Sequence, residues 1–383
     1  MKITYNISPA VIDWIVTQLG TNTTISDSLD TLKAWQVGEK SPTYNEIESI
    51  SKKTHIPFGY FFLKTPPKEN IKLMEYRTID SSETKTPSRN LLDTIFEMEQ
   101  IVDWIREYLI GEDFEENPIV GKQKNVTDIT IISNYVREVL NLPINWFENT
   151  RNSFNYLRDK MSATGVIIMA SGIVRNNTHR VLDINEFRAF TIIDKFAPLI
   201  FINATDSTSG KLFSLLHEFV HICLGTNNLF NAGYNFSKEV SKIEKICNAV
   251  TAEILVPTIL FEEKWHKLSL QDKSIEKTIE DVARFFRCGS IVVARKALDR
   301  GKIKQETYNQ TVQDAIKHYK EQKQALKKEG GDFYTTKASR LDKRFLTYVV
   351  DSLSQGKTLY SEAFRLTGTN RNTFSELVER MNA

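Results

Sequence analysis

Residues 217–221 read His217-Glu218-Phe219-Val220-His221, set inside the apolar run Leu212 to Leu224. Apolar residues on every side predict a buried helix, and on a helix the two histidines project from one face. Two imidazoles four residues apart can then hold one ion between them. Glu218 lies about 100° round the same helix from His217, so it can lean over an open coordination position and take a proton from water there. Two core histidines on an apolar helix are the plain alternative. A buried imidazole pair beside a carboxylate, however, needs a compensation that a metal supplies, and the spacing is that of the H-E-x-x-H motif.

A catalytic zinc takes three protein ligands and keeps a fourth place for water. The next predicted helix, Lys238 to Leu255 with Pro257 as its stop, offers Glu244 and Glu253. Nine residues separate them, which places them on roughly opposite faces, so only one can reach the ion. Glu244 shares its face with Cys247 and Asn248. Glu244 ranks first as third ligand. Cys247 ranks second, being also readable as a small buried hydrophobe. Asn248 is a candidate for orienting a ligand histidine. Cys223 lies about 200° from His221 and should face away. Tyr234, between the two helices, is a candidate transition-state donor by position alone.

At 383 residues the chain should form two or three domains. With 41% hydrophobic and 26% charged residues it has the makings of folded cores, which excludes a disordered chain. Its net charge of +2 selects no partner. No apolar run is long enough to span a bilayer, and Asp13 interrupts the apolar N-terminal patch, so neither a membrane span nor a signal peptide is expected. Three cysteines give no even disulfide framework, which fits a reducing, cytoplasmic setting.

Four parts are expected. Residues 1–66 read as a small helical unit opening at Ser8-Pro9 and broken over Gly59 to Pro67. Residues 67–124 read as a polar linker followed by a long amphipathic helix, Leu91 to Ile110. Residues 125–300 carry helices at Ile131–Leu140 and Ser153–Met161, then strands at Val166–Ala170, Phe187–Ile193 and Leu199–Asn203 ahead of the histidine helix. Residues 301–383 are helical. A few strands followed by helices predict an α+β class, a mostly helical multidomain chain with a small sheet beside the histidine helix.

The run from His217 to His221, followed by Glu244-Lys245-Ile246-Cys247-Asn248-Ala249-Val250-Thr251-Ala252-Glu253-Ile254-Leu255-Val256-Pro257, resembles the ImmA/IrrE family of zinc metallopeptidases. That family pairs H-E-h-x-H with E-x-x-A-N-x-F-A-A-x-L-L-M-P. The chain's departures at Cys247, Val250 and Thr251 spare every ligand position. The resemblance spans roughly residues 125–300. It implies a zincin-like catalytic domain, Zn2+ held by His217, His221 and Glu244, and Glu218 as general base. It also implies a protein substrate such as a repressor or an antitoxin. The strand Leu199–Asn203 is expected either as an edge that docks an extended substrate by strand addition or as an interior strand.

Three segments have helix-turn-helix character. Trp35 to Thr43, with Ile47, Ile50, Ile56-Pro57 and Tyr60 to Leu63, resembles the distal half of a phage-repressor type helix-turn-helix fused to such peptidases. Only fourteen residues separate Gly20 from Trp35, short by about half a motif, and residues 1–66 hold six lysines against six acids. DNA is therefore one candidate partner, and a degenerate packing module is the other reading. Ile279 to Leu298 and Leu359 to Met381 repeat the spacing. The latter lies in the more basic region, thirteen basic residues against eight acids over Ala315 to Ala383, with a docked helical hairpin as its alternative.

Two functions follow as expectations. The first is a regulatory zinc endopeptidase that cuts a partner protein; the second is a zinc-stabilised regulator or antitoxin-like binding protein that cuts nothing. A general digestive protease fits neither the cytoplasmic signature nor the extra helical modules.

Overall fold

The computed structural model describes residues 3–19, 26–67, 87–226, 228–230, 242–271, 273–326 and 333–382. The chain divides into two compact units, Met1–Glu97 and Met98–Ala383.

In the first unit, α1 (Pro9–Leu19) starts where Ser8 offers its carbonyl to the amides of Val11 and Ile12. Proline suits that first turn because the amide it lacks would have no helical partner. Then come α2 (Ser26–Gln36) and α3 (Tyr44–Thr54). The short span ahead of Trp35 still holds most of an eleven-residue helix, α2, which runs on through Trp35 to Gln36. Residues Gly59 to Pro67, expected to break the helical pattern, carry no α-helix; they begin inside a 3-10 turn, Phe58–Phe62, that drives Phe61 into the core with Ile12, Leu32, Trp35 and Ile50. The linker expected over Asn70 to Arg89 lies largely outside the described residues, and α4 (Arg89–Gly111) begins at its end.

The second unit continues with α5 (Ile129–Val139) and α6 (Ser153–Ala163), then β1 (Ile167–Ser171), β2 (Ala189–Ile192) and β3 (Leu199–Asn203). The histidine helix, α7 (Thr208–Leu224), leads into β4 (Asn228–Phe230). Next are α8 (Lys242–Leu255) and α9 (Thr258–Ser269), then α10 (Ile275–Phe286), α11 (Ser290–Asp299) and α12 (Gln305–Leu326). Four short helices close the chain: α13 (Phe333–Arg340), α14 (Lys343–Ser354), α15 (Tyr360–Thr367) and α16 (Arg371–Asn382). Among the described residues the chain is mostly helical with one small sheet, an α+β fold. No described helix is long and apolar enough to cross a membrane.

The sheet runs β1-β3-β2-β4, with β1 parallel to β3 and the other pairs antiparallel. Of the two expectations for Leu199–Asn203, the interior one holds: β3 bonds to strands on both sides and has no free edge for a substrate. The outer edge of β1 is also occupied. Asp342 accepts from the Ile168 amide at 3.1 Å, and Arg158 donates to the Ile168 carbonyl at 2.9 Å.

Contacts at both ends fix α7. Ser207 caps its start by accepting from the Gly210 amide at 3.0 Å. A side chain at 210 would strike the Asp206 carboxylate, which is buried in a 2.5 Å pair with Arg188. At the far end Gly225 takes φ +71°, a left-handed conformation that glycine adopts without strain. The last carbonyls, of Ile222 and Cys223, accept from the amides of Gly121 and Gln123 at 2.9 and 2.8 Å. Between these ends α7 lies against β2 and β3 on one side and α6 and α8 on others, burying Leu215, Leu216, Phe219 and Ile222 completely.

Candidate metal centre

The residues of the histidine motif all fall on α7, and His217, Glu218 and His221 are buried there. Glu244 comes from the first turn of α8 and is half-buried. Three candidate ligand groups meet. The two Nε2 atoms lie 3.1 Å apart, His217 Nε2 lies 3.2 Å from Glu244 Oε2, and His221 Nε2 lies 3.0 Å from Glu244 Oε1. Ligands at zinc's usual bond lengths stand about 3.3 Å apart in a tetrahedral shell. The donor set therefore fits such an ion in both chemistry and spacing.

Charge within the cluster suits metal binding. Burial is the largest influence on His221 and pushes its pKa down, favouring the neutral imidazole that a metal requires. Burial alone would raise the Glu244 carboxyl, but the combined charge and hydrogen bonds of His217 and His221 take it well below the usual carboxylate range. The candidate third ligand is thus held as the carboxylate anion. On the other side of the His221 ring, Nδ1 lies 2.9 Å from Thr226 Oγ1. With Nδ1 donating to that oxygen, Nε2 keeps its lone pair for a metal.

Glu218 stands apart from the three. Burial, the dominant effect, pushes its carboxyl well up; a hydrogen bond from Thr191 Oγ1 to Oε2 opposes this, and the Glu244 charge adds to it. Its Oε1 is buried and has no hydrogen-bond partner among the described residues. A carboxylate with one bare oxygen can accept a proton from water placed beside it.

The remaining candidates fall elsewhere. Glu253 accepts from the Thr258 amide and hydroxyl at 3.0 and 2.6 Å and pairs with Lys296 at 2.5 Å, so it caps α9 and anchors α11. Cys247 and Cys223 are buried thiols outside the converging group, both pushed up chiefly by burial. Asn248 makes no hydrogen bond to either histidine among the described residues; the side chain that meets His221 Nδ1 is that of Thr226. Tyr234 lies outside the described residues. Sequence reasoning missed both Thr191 and Thr226. An in-strand threonine and a threonine just past a helix carry no motif signal.

The three helix-turn-helix segments also have definite surroundings. The exposed side of α2 carries Asp27 and Asp30 alongside Lys33, a poor match to phosphate. In α11, Lys296 is committed to Glu253 and Arg295 to Asp299, and α12 packs alongside. At the C-terminus, α15 and α16 bury Ala363, Leu366, Phe374 and Leu377 around the Gly368 turn and expose Arg371, Asn372 and Ser375.

Comparison with protein families adds two matches. Residues 164–298 match the family Peptidase_M78, described as the IrrE N-terminal-like domain, and residues 341–380 match DUF8813, a domain of unknown function. Neither curated proteins nor solved structures gave a match. The first match covers β1 through most of α11, including all four residues of the centre, and supports a peptidase-type domain there.

Proposed function

We propose that residues 125–300 form a zinc-dependent endopeptidase that cuts a partner protein, with His217, His221 and Glu244 as metal ligands and Glu218 as general base. One observation carries the reading: three ligand atoms converge beside a buried carboxylate whose second oxygen is bare. A purely structural zinc is usually closed by four protein ligands and has no use for such a base. The peptidase family match over the same residues adds to it.

A bound zinc ion would acidify water and polarise a carbonyl beside it. Glu218 takes the proton from the attacking water through Oε1, and the oxygen adds to the peptide carbonyl carbon. When the carbon–nitrogen bond breaks, Glu218 returns that proton to the leaving amine. His217 and His221 would each offer a ring nitrogen to the ion, and Glu244 would supply a negative charge that balances part of it.

The substrate belongs to the same proposal: a repressor or an antitoxin-like protein, met in the cytoplasm. A protein is the primary partner in this reading because the exposed side of α2 presents carboxylates where DNA would need cations. Co-expression of candidate partners with the wild type and with Glu218→Gln is the test. Cleavage by the wild type and none by the variant, at equal zinc content, is expected. A Glu218→Gln protein that binds zinc and keeps its full regulatory effect would leave a zinc-stabilised binding protein as the function.

A further inference from the structure

Thr191 is the third residue of β2 and is completely buried. Side chains alternate along a strand, and Phe190 stacks on Phe201 of β3 on one face of the sheet, with centroids 5.0 Å apart. Thr191 therefore points to the other face, the one covered by α7. Its direct partner on β3 is Ile200, and the core around that face includes Ala189, Ile202, Leu215 and Phe219. A hydroxyl is out of place in such company. Left unpaired it is strongly unfavourable, whereas valine has nearly the same shape and no polar atom to satisfy.

The hydroxyl is not unpaired: it donates to Glu218 Oε2. Its other contact among the described residues is a long one, 3.4 Å, to the backbone carbonyl of the same glutamate. Glu218 is thus engaged through one oxygen and bare at the other. The terminal torsion of a glutamate is broad and roughly two-fold, so nothing intrinsic to the side chain fixes which oxygen faces which way. Thr191, on the rigid middle of a sheet, supplies that restraint.

We infer that Thr191 is a positioning residue for Glu218, holding Oε2 so that Oε1 is the oxygen presented to water. The inference rests on the peptidase reading for its purpose, but the restraint itself can be tested without any reaction. Crystal structures of the zinc-loaded wild type, T191V and T191S show directly where the Glu218 carboxylate lies. In T191V the carboxylate should rotate or spread over two orientations; in T191S it should keep the wild-type one. Zinc content should be equal in all three. A mixture of internally quenched peptides serves as the activity probe. There T191V should lower kcat roughly 10–100-fold, the range of a lost hydrogen bond to a charged group, with KM held within about twofold. T191S should recover most of the rate, which loss of packing alone would not predict.

A T191V protein with an unmoved carboxylate and undiminished kcat overturns the inference. If the wild type cleaves none of the peptides while binding zinc, the peptidase reading is what suffers, and the three crystal structures still decide whether Thr191 sets the carboxylate. Should T191V fail to fold, T191A makes the same comparison.

Discussion

Thr226 Oγ1 sits 2.9 Å from His221 Nδ1, while Nε2 of the same ring sits 3.0 Å from Glu244 Oε1. Thr226 therefore holds the ring at its outer edge, and the orientation of Nε2 toward the candidate metal does not depend on the metal alone. Replacing Thr226 with valine removes the outer hold and keeps the volume. Zinc affinity is expected to fall about 10–100-fold, the usual effect of losing a partner to a ligand histidine. Competition with a chromophoric chelator measures it, and an unchanged dissociation constant would count against the orienting role.

The third ligand can be separated from its rivals by metal content. Glu244→Ala should purify without stoichiometric zinc, whereas Cys247→Ser should retain it, since Cys247 is buried outside the converging group. Glu253→Ala should retain zinc too but be less stable by about 1–3 kcal/mol, through loss of the α9 cap and of the Lys296 pair. Zinc bound by Glu244→Ala at full stoichiometry would reopen the choice between Glu244 and Cys247.

These outcomes trace where the sequence was readable. The centre was legible because helical spacing alone places His217 and His221 on one face and separates Glu244 from Glu253. Spacing gives a face but not a reach, which is why Asn248, on the same side as Glu244, was expected to orient a histidine and does not. The α+β class was legible from the order of strands and helices. Strand order was not: whether Leu199–Asn203 lies at an edge depends on pairings made by residues far along the chain. The same holds for Thr191, whose hydroxyl acquires meaning only once β2 is laid against α7.

The C-terminal helices supply another long-range feature. Asp342 caps α14 by accepting from Arg344 and Phe345 amides at 2.9 and 3.2 Å, and also accepts from Ile168 N and Ser162 Oγ at 3.1 and 3.2 Å. Arg158 answers it, donating to the carbonyls of Ser339 and Leu341 at 2.7 Å each and of Ile168 at 2.9 Å. A side chain from the region matching DUF8813 therefore closes the outer edge of β1, a protection that sheets commonly need. Asp342→Ala should destabilise the protein by about 2–4 kcal/mol, since it strands buried donors as well as removing a cap. Hydrogen exchange at the Ile168 amide should accelerate more than at the Phe201 amide inside the sheet. Equal protection at both would mean that Asp342 does not guard the edge.

The first unit offers a pH test on a carboxylate that is not part of the metal centre. Glu46 accepts from the Thr43 amide and hydroxyl, each at 2.9 Å, and pairs with Lys40 at 2.5 Å. The hydrogen bond from Lys40, then that from the Thr43 amide, lowers its carboxyl from 4.5 to about 2. A depressed folded pKa means that the unfolded chain binds the proton more readily, so the stabilisation is full above pH 4.5 and fades as pH falls through about 2. Lys40 is more than half exposed, so solvent screens its share and the cap carries most of the effect. Hydrogen exchange in α3 of the full chain should show Glu46→Ala less protected by about 1 kcal/mol at pH 6, the usual worth of a helix cap. The difference should shrink as the solution is acidified through that window. High salt should remove only the Lys40 part, since neutral Thr43 donors are not screened. A gap between variant and wild type that stays constant down to pH 2 would show that ionised Glu46 has no special hold on the start of α3.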